Sequence, residues 1–186
     1  MSSAATDVTS ITTPWPAGFP AHKPGPRGFA VREVAAPADA VYEWLLRPDL
    51  HVEHYRGLHH VKLYGGARKL AEGTTVSFFL GPLFVPPMKV VQADPQLRSL
   101  AWASNAPGFK ACHCFTVKPI DDDRSLLRSE ELWVGPAARA TGLLTAPVIQ
   151  KVQTDWVEAV VALANRHPAG PPAPAEPAPA EVPAAG

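Results

Sequence analysis

In the last third of the chain, Leu144, Val148, Val152, Trp156, Val160 and Leu163 recur at four- and three-residue intervals, which places them on one face of a single long helix ending near Arg166. The apolar segments upstream read instead as strands: 29–35, 58–64, 74–80, 84–94, 98–104, 109–118 and 126–134, each bounded by turn residues. One antiparallel sheet of that length and one long helix can each hide an apolar face only against the other. The sheet must therefore curl around the helix, and such a curl encloses an apolar cavity.

Two short helices are expected between the first two strands. Pro37 suits a first helical position, Asp39 the first turn, and Val41, Trp44 and Leu45 lie on one face before Pro48 stops the run. Residues 49–57 read as a second short helix ending at Gly57. Pro86-Pro87 confines its end of a strand to an edge or a bulge, Asp94-Pro95 and 105–108 are turns, and Pro147 is expected to kink the long helix near its first turns.

Proline marks where the folded part stops. Of 22 prolines, seven fall in the last 19 residues and five in the first 26, and the C-terminal Pro/Ala tract lacks the apolar bulk that offsets ordering entropy. Residues 1–26 and 168–186 are expected as disordered tails around a 27–167 domain. Seventeen Lys and Arg balance seventeen Asp and Glu, so no net field draws the chain to nucleic acid or to an anionic membrane. No run approaches ~20 apolar residues, and the start MSSAATDVTS has neither a basic beginning nor an apolar core, so membrane insertion is not expected and a cytoplasmic location is the default.

Metal chemistry is not expected either. Cys112 and Cys114 share one face of a strand, poorly placed for a disulfide, and alternation sends His113 to the other face. His51 and His54, with Glu53, have a spacing that raises zinc, but solvent-exposed histidines are the plainer reading of HVEHYRGLHH. Asp121, Asp122 and Asp123 read as a solvated loop tip.

Four stretches carry a family resemblance: VREVAAPADAVYEWLLRPDLHVEHY, VVQADPQLRSLAW, SLLRSEELWVG and DWVEAVVALANR. The chain resembles the SRPBCC or START-like helix-grip superfamily and, within it, the polyketide cyclase/dehydrase group. The resemblance covers the whole core. It implies an α+β helix-grip fold: a curved antiparallel sheet of about seven strands wrapped around a long C-terminal helix, two short helices after the first strand, and a hydrophobic cavity. It also implies a cofactor-independent cyclase or dehydratase acting on a hydrophobic polyketide-type intermediate, or a non-catalytic carrier of a lipid or small metabolite. A third possibility is an interaction protein whose core is filled. The partner expected is a hydrophobic small molecule, with the protein a monomer or a homodimer. Where the family commonly has Trp at the end of the second short helix, this chain has His54-Tyr55.

Alternation along 109–117 turns Phe109, Ala111, His113, Phe115 and Val117 inward, leaving His113 as the one polar group on an apolar stripe. Along 126–134 alternation does not decide. The resemblance does, because the family's glutamate near the strand end matches Glu131, which turns Ser129, Glu131 and Trp133 inward. Odd residues pair with odd residues only across an odd loop. A three-residue loop at 121–123 places His113 opposite Glu131, a loop centred on Asp123 places His113 opposite Trp133 and Phe115 opposite Glu131, and an even loop breaks the pairing. A His and a Glu within reach in a dry pocket form a proton-transfer pair able to exchange acid and base roles, although two such groups can also simply satisfy each other. Ser129 has no base partner in a triad arrangement. The expected catalytic set is therefore His113 and Glu131 with Tyr55 as an orienting hydroxyl. The expected substrate contacts are Trp102, Phe115 and Trp133 as walls, with Ser129, Phe109, Val148 and Val152.

Overall fold

The computed structural model describes residues 11–80, 83–84 (backbone only) and 87–173. In chain order the elements are β1 (Arg27–Val34), α1 (Ala38–Leu45), a 3-10 turn (Pro48–His51), β2 (Leu58–Leu63), β3 (Thr75–Leu80), β4 (Leu83–Phe84), β5 (Met88–Asp94), β6 (Ser99–Ala106), β7 (Phe109–Pro119), β8 (Ser125–Val134) and α2 (Pro136–Arg166). Every strand pairing is antiparallel. Seven strands follow one path, β1-β8-β7-β6-β5-β3-β2, and the two-residue β4 pairs with β3. Strands β1 and β2, consecutive along the sheet-forming sequence, thus lie at opposite edges, and the α1 segment spans the distance between them. The curled sheet holds α2 against its inner face.

Several local expectations are corrected. Pro37 is the N-cap of α1, one position before the first helical residue, with ψ of 144°. The second short helix is a single 3-10 turn; after it the chain makes further turns to Gly57, whose φ of +113° favours glycine and ends the helical path. The expected strand 84–94 is broken, with β5 beginning only after Pro87; Pro86 lies outside the described residues. Helix α2 runs unbroken through Pro147.

Its buried face differs from the expected stripe. Ile149, Gln153, Trp156, Val157, Val160, Leu163 and Ala164 are buried, whereas Leu144 is 81% and Val148 56% exposed. The helix meets β1 at Gly28, where a Cβ would come within 2.7 Å of the Gln150 nitrogen and 2.9 Å of the Ile149 carbonyl carbon. Only glycine permits that crossing, and burial of α2 deepens from there toward its C-terminus. At the other end the helix is tied by Ala137 N–H to the Gly108 carbonyl, at 3.2 Å.

Residues 11–26, expected within a disordered tail, lie across the outer face of the sheet. Trp15 and Phe19 stack with centroids 5.3 Å apart and pack over Ala101, Cys112 and Cys114. Thr13 donates to the buried Glu130, Arg128 Nε donates to Thr13 Oγ1 at 2.9 Å, and Arg27 approaches Glu130 at 3.3 Å. The two thiols are free and buried, with sulfurs 3.6 Å apart. At the other end, residues 168–173 begin beside α1: Trp44 Nε1 donates to the His167 carbonyl and Arg47 Nη1 to the Pro172 carbonyl, each at 3.3 Å. The expected tails at 1–10 and 174–186 lie outside the described residues. Among the described residues no helix is long and apolar enough to cross a membrane.

Candidate functional site

The β7–β8 hairpin sets the site. Ile120 N–H donates to the Arg124 carbonyl at 2.9 Å, closing a three-residue loop at Asp121 to Asp123. The pairing that follows puts His113 opposite Glu131 and Phe115 opposite Ser129, the first of the two registers the loop allowed. On the other side of β7, Trp102 of β6 lies opposite His113, and Leu100 opposite Phe115. Paired residues share a face, so Trp102, His113, Phe115, Ser129, Glu131 and Trp133 all project toward α2.

Along this face the burial changes. In the inner half, Trp156 of α2 touches the sheet directly: its ring centroid lies 4.9 Å from Phe78, 5.3 Å from Trp102, 5.5 Å from His113 and 6.0 Å from Phe115. These are contact distances for aromatic rings, and Trp102, Phe115 and Trp156 are 2%, 0% and 2% exposed, so this half is packed shut. Toward the start of α2 the side chains of this face are less completely covered. On the sheet, Glu131, Trp133 and Phe109 are half-buried, with Trp133 and Phe109 edge-to-face at 5.3 Å. On the helix, Ala138 and Ile149 stay buried, Val152 is half-buried, and Val148 and Leu144 are exposed. Trp102, Phe115 and Ser129 lie in the packed half, and Val148 is exposed.

A polar chain crosses from the packed half to the less covered part. Ser129 donates its hydroxyl proton to Gln153 Oε1, so its oxygen accepts from His113 Nε2, 2.7 Å away. Gln153 Nε2 in turn donates to Glu131 Oε2 at 2.8 Å, and Trp133 Nε1 donates to Glu131 Oε1 at 2.7 Å. His113 and Glu131 are thus neighbours joined through Ser129 and Gln153. Gln153 is a site residue outside the expected set: its signal in the sequence is an uncharged amide on the Ile149–Gln153–Trp156–Val160 face, one position beside the expected Val148–Val152–Trp156–Val160 stripe.

Burial separates the two titratable groups. It drives His113 down to about 3, so the imidazole is neutral at physiological pH and supplies no imidazolium to exchange with the glutamate. It pushes Glu131 up to about 7, against the opposing pull of the Trp133 and Gln153 N–H groups. With these opposite shifts the Glu131 carboxyl titrates near neutrality while His113 stays a neutral donor.

Tyr55 is buried, with its ring edge-to-face on Trp156 at 5.3 Å; burial, then the charges of Asp155 and Glu131, raise its pKa and keep the phenol neutral. Among the described residues, no hydrogen bond joins its hydroxyl to His113 or Glu131. His51, expected at the surface, is fully buried: its Nε2 donates to the Trp44 carbonyl at 2.8 Å, and burial lowers it to about 4. Among the described residues, no group of three His, Cys, Asp or Glu could hold a metal ion.

No protein-family model matches the sequence, and no curated protein matches it. Solved structures do match. A hypothetical protein of Helicobacter pylori is 19% identical with a TM-score of 0.67, over 86% of this chain and 99% of its own. The Zhui aromatase/cyclase of Streptomyces sp. R1128 is 19% identical with a TM-score of 0.62, over 75% of this chain and 93% of its own. Norcoclaurine synthase of Thalictrum flavum, in complex with dopamine and hydroxybenzaldehyde, is 17% identical with a TM-score of 0.60, over 84% of this chain and 96% of its own. At these identities the likeness is one of fold, and by its strand order, its curled sheet and the long helix it grips, this chain is a helix-grip protein.

Proposed function

We propose that this protein binds an unsaturated, polyketide-type small molecule at the less completely buried end of the grip and promotes its cyclisation or dehydration, with Glu131 as general acid and base. The observation that carries this reading is the position of Glu131. It sits where the fully packed part of the sheet face gives way to half-buried side chains, both its oxygens are held by N–H donors, and desolvation brings it to about 7. A carboxyl at that value is available in both protonation states near neutral pH, which is what proton transfer in two directions requires.

For cyclisation, Glu131 as carboxylate takes a proton from a carbon flanked by two carbonyls. The resulting enolate forms a carbon–carbon bond to another carbonyl of the same molecule, and the carboxylic acid returns its proton to the new alkoxide. Dehydration uses the same group, first removing the α-proton and then protonating the departing hydroxyl. These steps draw on proton transfer alone. Trp133 and Gln153 fix the carboxyl, while Phe109, Val152 and Val148 supply apolar walls that hold the flexible chain folded. The aromatase/cyclase and norcoclaurine synthase neighbours lend the enzymatic reading support.

An aryl β-hydroxyketone, whose dehydration to a conjugated enone is followed by ultraviolet absorbance, tests the reading. Glu131→Gln is expected to lower turnover by about 10²-fold or more while leaving ligand affinity within a few-fold. Saturable binding with no turnover by the unsubstituted protein supports a carrier instead.

A further inference from the structure

We infer that Gln153 is a proton-coupled relay: when Glu131 takes up a proton the Gln153 amide turns over, the chain Glu131–Gln153–Ser129–His113 reverses, and His113 carries its proton on Nδ1 instead of Nε2. The relay is a property of these four side chains themselves and goes beyond the catalytic reading above, since it needs neither ligand nor turnover.

Donors and acceptors along the chain leave two consistent arrangements. An indole N–H can only donate, so Glu131 Oε1, 2.7 Å from Trp133 Nε1, stays an acceptor and the acid proton belongs on Oε2. Gln153 Nε2 stands 2.8 Å from that second oxygen. With Glu131 ionised, the amide donates to Oε2, its carbonyl accepts from the Ser129 hydroxyl, and Ser129 accepts from His113 Nε2 at 2.7 Å; this is the arrangement in the structure. With Glu131 protonated, the same amide would set N–H against O–H. Turned through about 180°, it accepts from Oε2 through its carbonyl and donates to Ser129 through Nε2. The Ser129 hydroxyl proton then has His113 Nε2 as its acceptor, and that nitrogen offers a lone pair only in the Nδ1–H tautomer.

Burial makes the reversal all-or-none. Ser129 and Gln153 are 0% exposed and His113 3%, so a chain reversed only part way leaves two buried donors facing each other. The imidazole is not free to turn over: it is stacked on Phe115 with centroids 4.4 Å apart and meets Trp102 and Trp156 edge-on at 4.9 and 5.5 Å. It answers by tautomer. One N–H bond is lost at Nε2 as one is gained at Nδ1, the protons exchange with solvent in brief local openings, and the ring is neutral in both arrangements.

The surrounding titratable groups do not compete. On β1 the residue opposite Glu131 is Gly28, which brings no side chain. Glu130 of β8 turns to the other face with Arg27 and Arg128, and Cys114 of β7 stays neutral with its thiol pushed up. Tyr55 and His51, both against Trp156, are kept neutral by burial, and Asp155 of α2 is paired with Lys151. Glu131, brought to about 7, is the group of this cluster that changes charge near neutrality. A bond to a carboxylate is stronger than one to the acid, so Gln153 still favours the ionised form on balance.

Nitrogen NMR of the full chain labelled at histidine, with the His113 signals identified by their loss in His113→Gln, tests the relay. From about pH 8.5 to about 5.5 the tautomer ratio is expected to move toward Nδ1–H by about tenfold or more, with the midpoint of the Glu131 carboxyl carbon shift. Glu131→Gln needs no titration: the new amide accepts from Trp133 through its carbonyl and donates to Gln153 from the place of Oε2, so His113 is expected as Nδ1–H at every pH. In Gln153→Leu the carboxyl still titrates and the ratio is expected to stop following it. A ratio constant within about twofold while Glu131 titrates overturns the relay, as does Nε2–H in Glu131→Gln, and a ratio that still follows pH in Gln153→Leu overturns the part assigned to Gln153. A fixed tautomer in a protein that dehydrates its substrate refutes the relay alone, whereas a working relay in a protein without turnover refutes only the catalytic role of Glu131.

Discussion

Between pH 6.5 and 4.5 three desolvated side chains, the buried His51 and His113 and the half-buried Glu131, make opposing contributions to the stability of this fold. His51 and His113, ordinarily near 6.5, titrate at about 4 and about 3 when folded; Glu131, ordinarily near 4.5, titrates at about 7. In that window the unfolded chain carries a proton on each histidine and none on the glutamate, while the folded chain carries one on the glutamate and none on the histidines. The depressed histidines contribute stability that is full above 6.5 and is lost as the pH falls. The raised glutamate contributes stability that is full below 4.5 and is lost as the pH rises toward 7. The unfolded state holds two protons against one, so the free energy of unfolding falls by about 1.4 kcal/mol per pH unit on acidification. Glu131→Gln removes the opposing proton and steepens the slope to about 2.7 kcal/mol per unit, whereas His113→Gln leaves one histidine against one glutamate and flattens it to about zero. Urea unfolding followed by tryptophan fluorescence at several pH values from 4.8 to 6.2 gives the three slopes, and differences between them cancel the groups common to all three proteins. Three equal slopes would show that neither side chain is shifted by burial as described, and the account of the site would fall with them.

Other consequences follow from the same contacts. Gln153→Leu removes the N–H donor on Glu131 Oε2, so the carboxyl should titrate above its value in the unsubstituted protein, read from the side-chain carboxyl carbon shift; no upward movement would mean that the amide does not act on it. Gly28→Ala drives a methyl into the α2 backbone at 2.7 Å and should cost about 1–3 kcal/mol in urea unfolding, with a smaller loss showing that the helix can shift aside. Trp15→Ala uncovers the thiols of Cys112 and Cys114, and their reaction with a disulfide reagent should quicken by about tenfold or more; an unchanged rate would show that the N-terminal segment does not cover them.

The fold was legible because its strongest signals are local. The inward stripe Phe109, Ala111, His113, Phe115 and Val117 follows from alternation, and the pairing of His113 with Glu131 followed once the loop proved to be three residues long. What stayed hidden depends on partners distant in sequence. Gln153 matters because it meets Ser129 and Glu131 from another element, which a helical pattern does not encode. Trp15 and Phe19 sit in a proline-rich run too sparse to form an element, yet they find buried cover on Cys112 and Cys114, on the face of β7 turned away from α2. His51 looked like one of several surface histidines, since the Trp44 carbonyl that accepts from it lies on the preceding helix. The acid/base division between His113 and Glu131 was likewise unreadable, because it is set by how completely each group is desolvated.

The N-terminal segment across the outer face gives β7 and β8 cover on both sides: Cys112 and Cys114 beneath Trp15 and Phe19 on one, Phe115 and Ser129 against α2 on the other. Strands sheathed in this way form the part of a protein that opens last, so amide hydrogens of Cys112 to Phe115 and Leu127 to Glu131 should exchange only with global unfolding. The carboxyl at the boundary is mounted on that slow framework. The exposed part of α2 is held less tightly, and its amides from Leu143 to Val148 should exchange soonest, so under the proposed function the acid stands on a stiff anvil and any accommodation of a ligand falls to a yielding jaw.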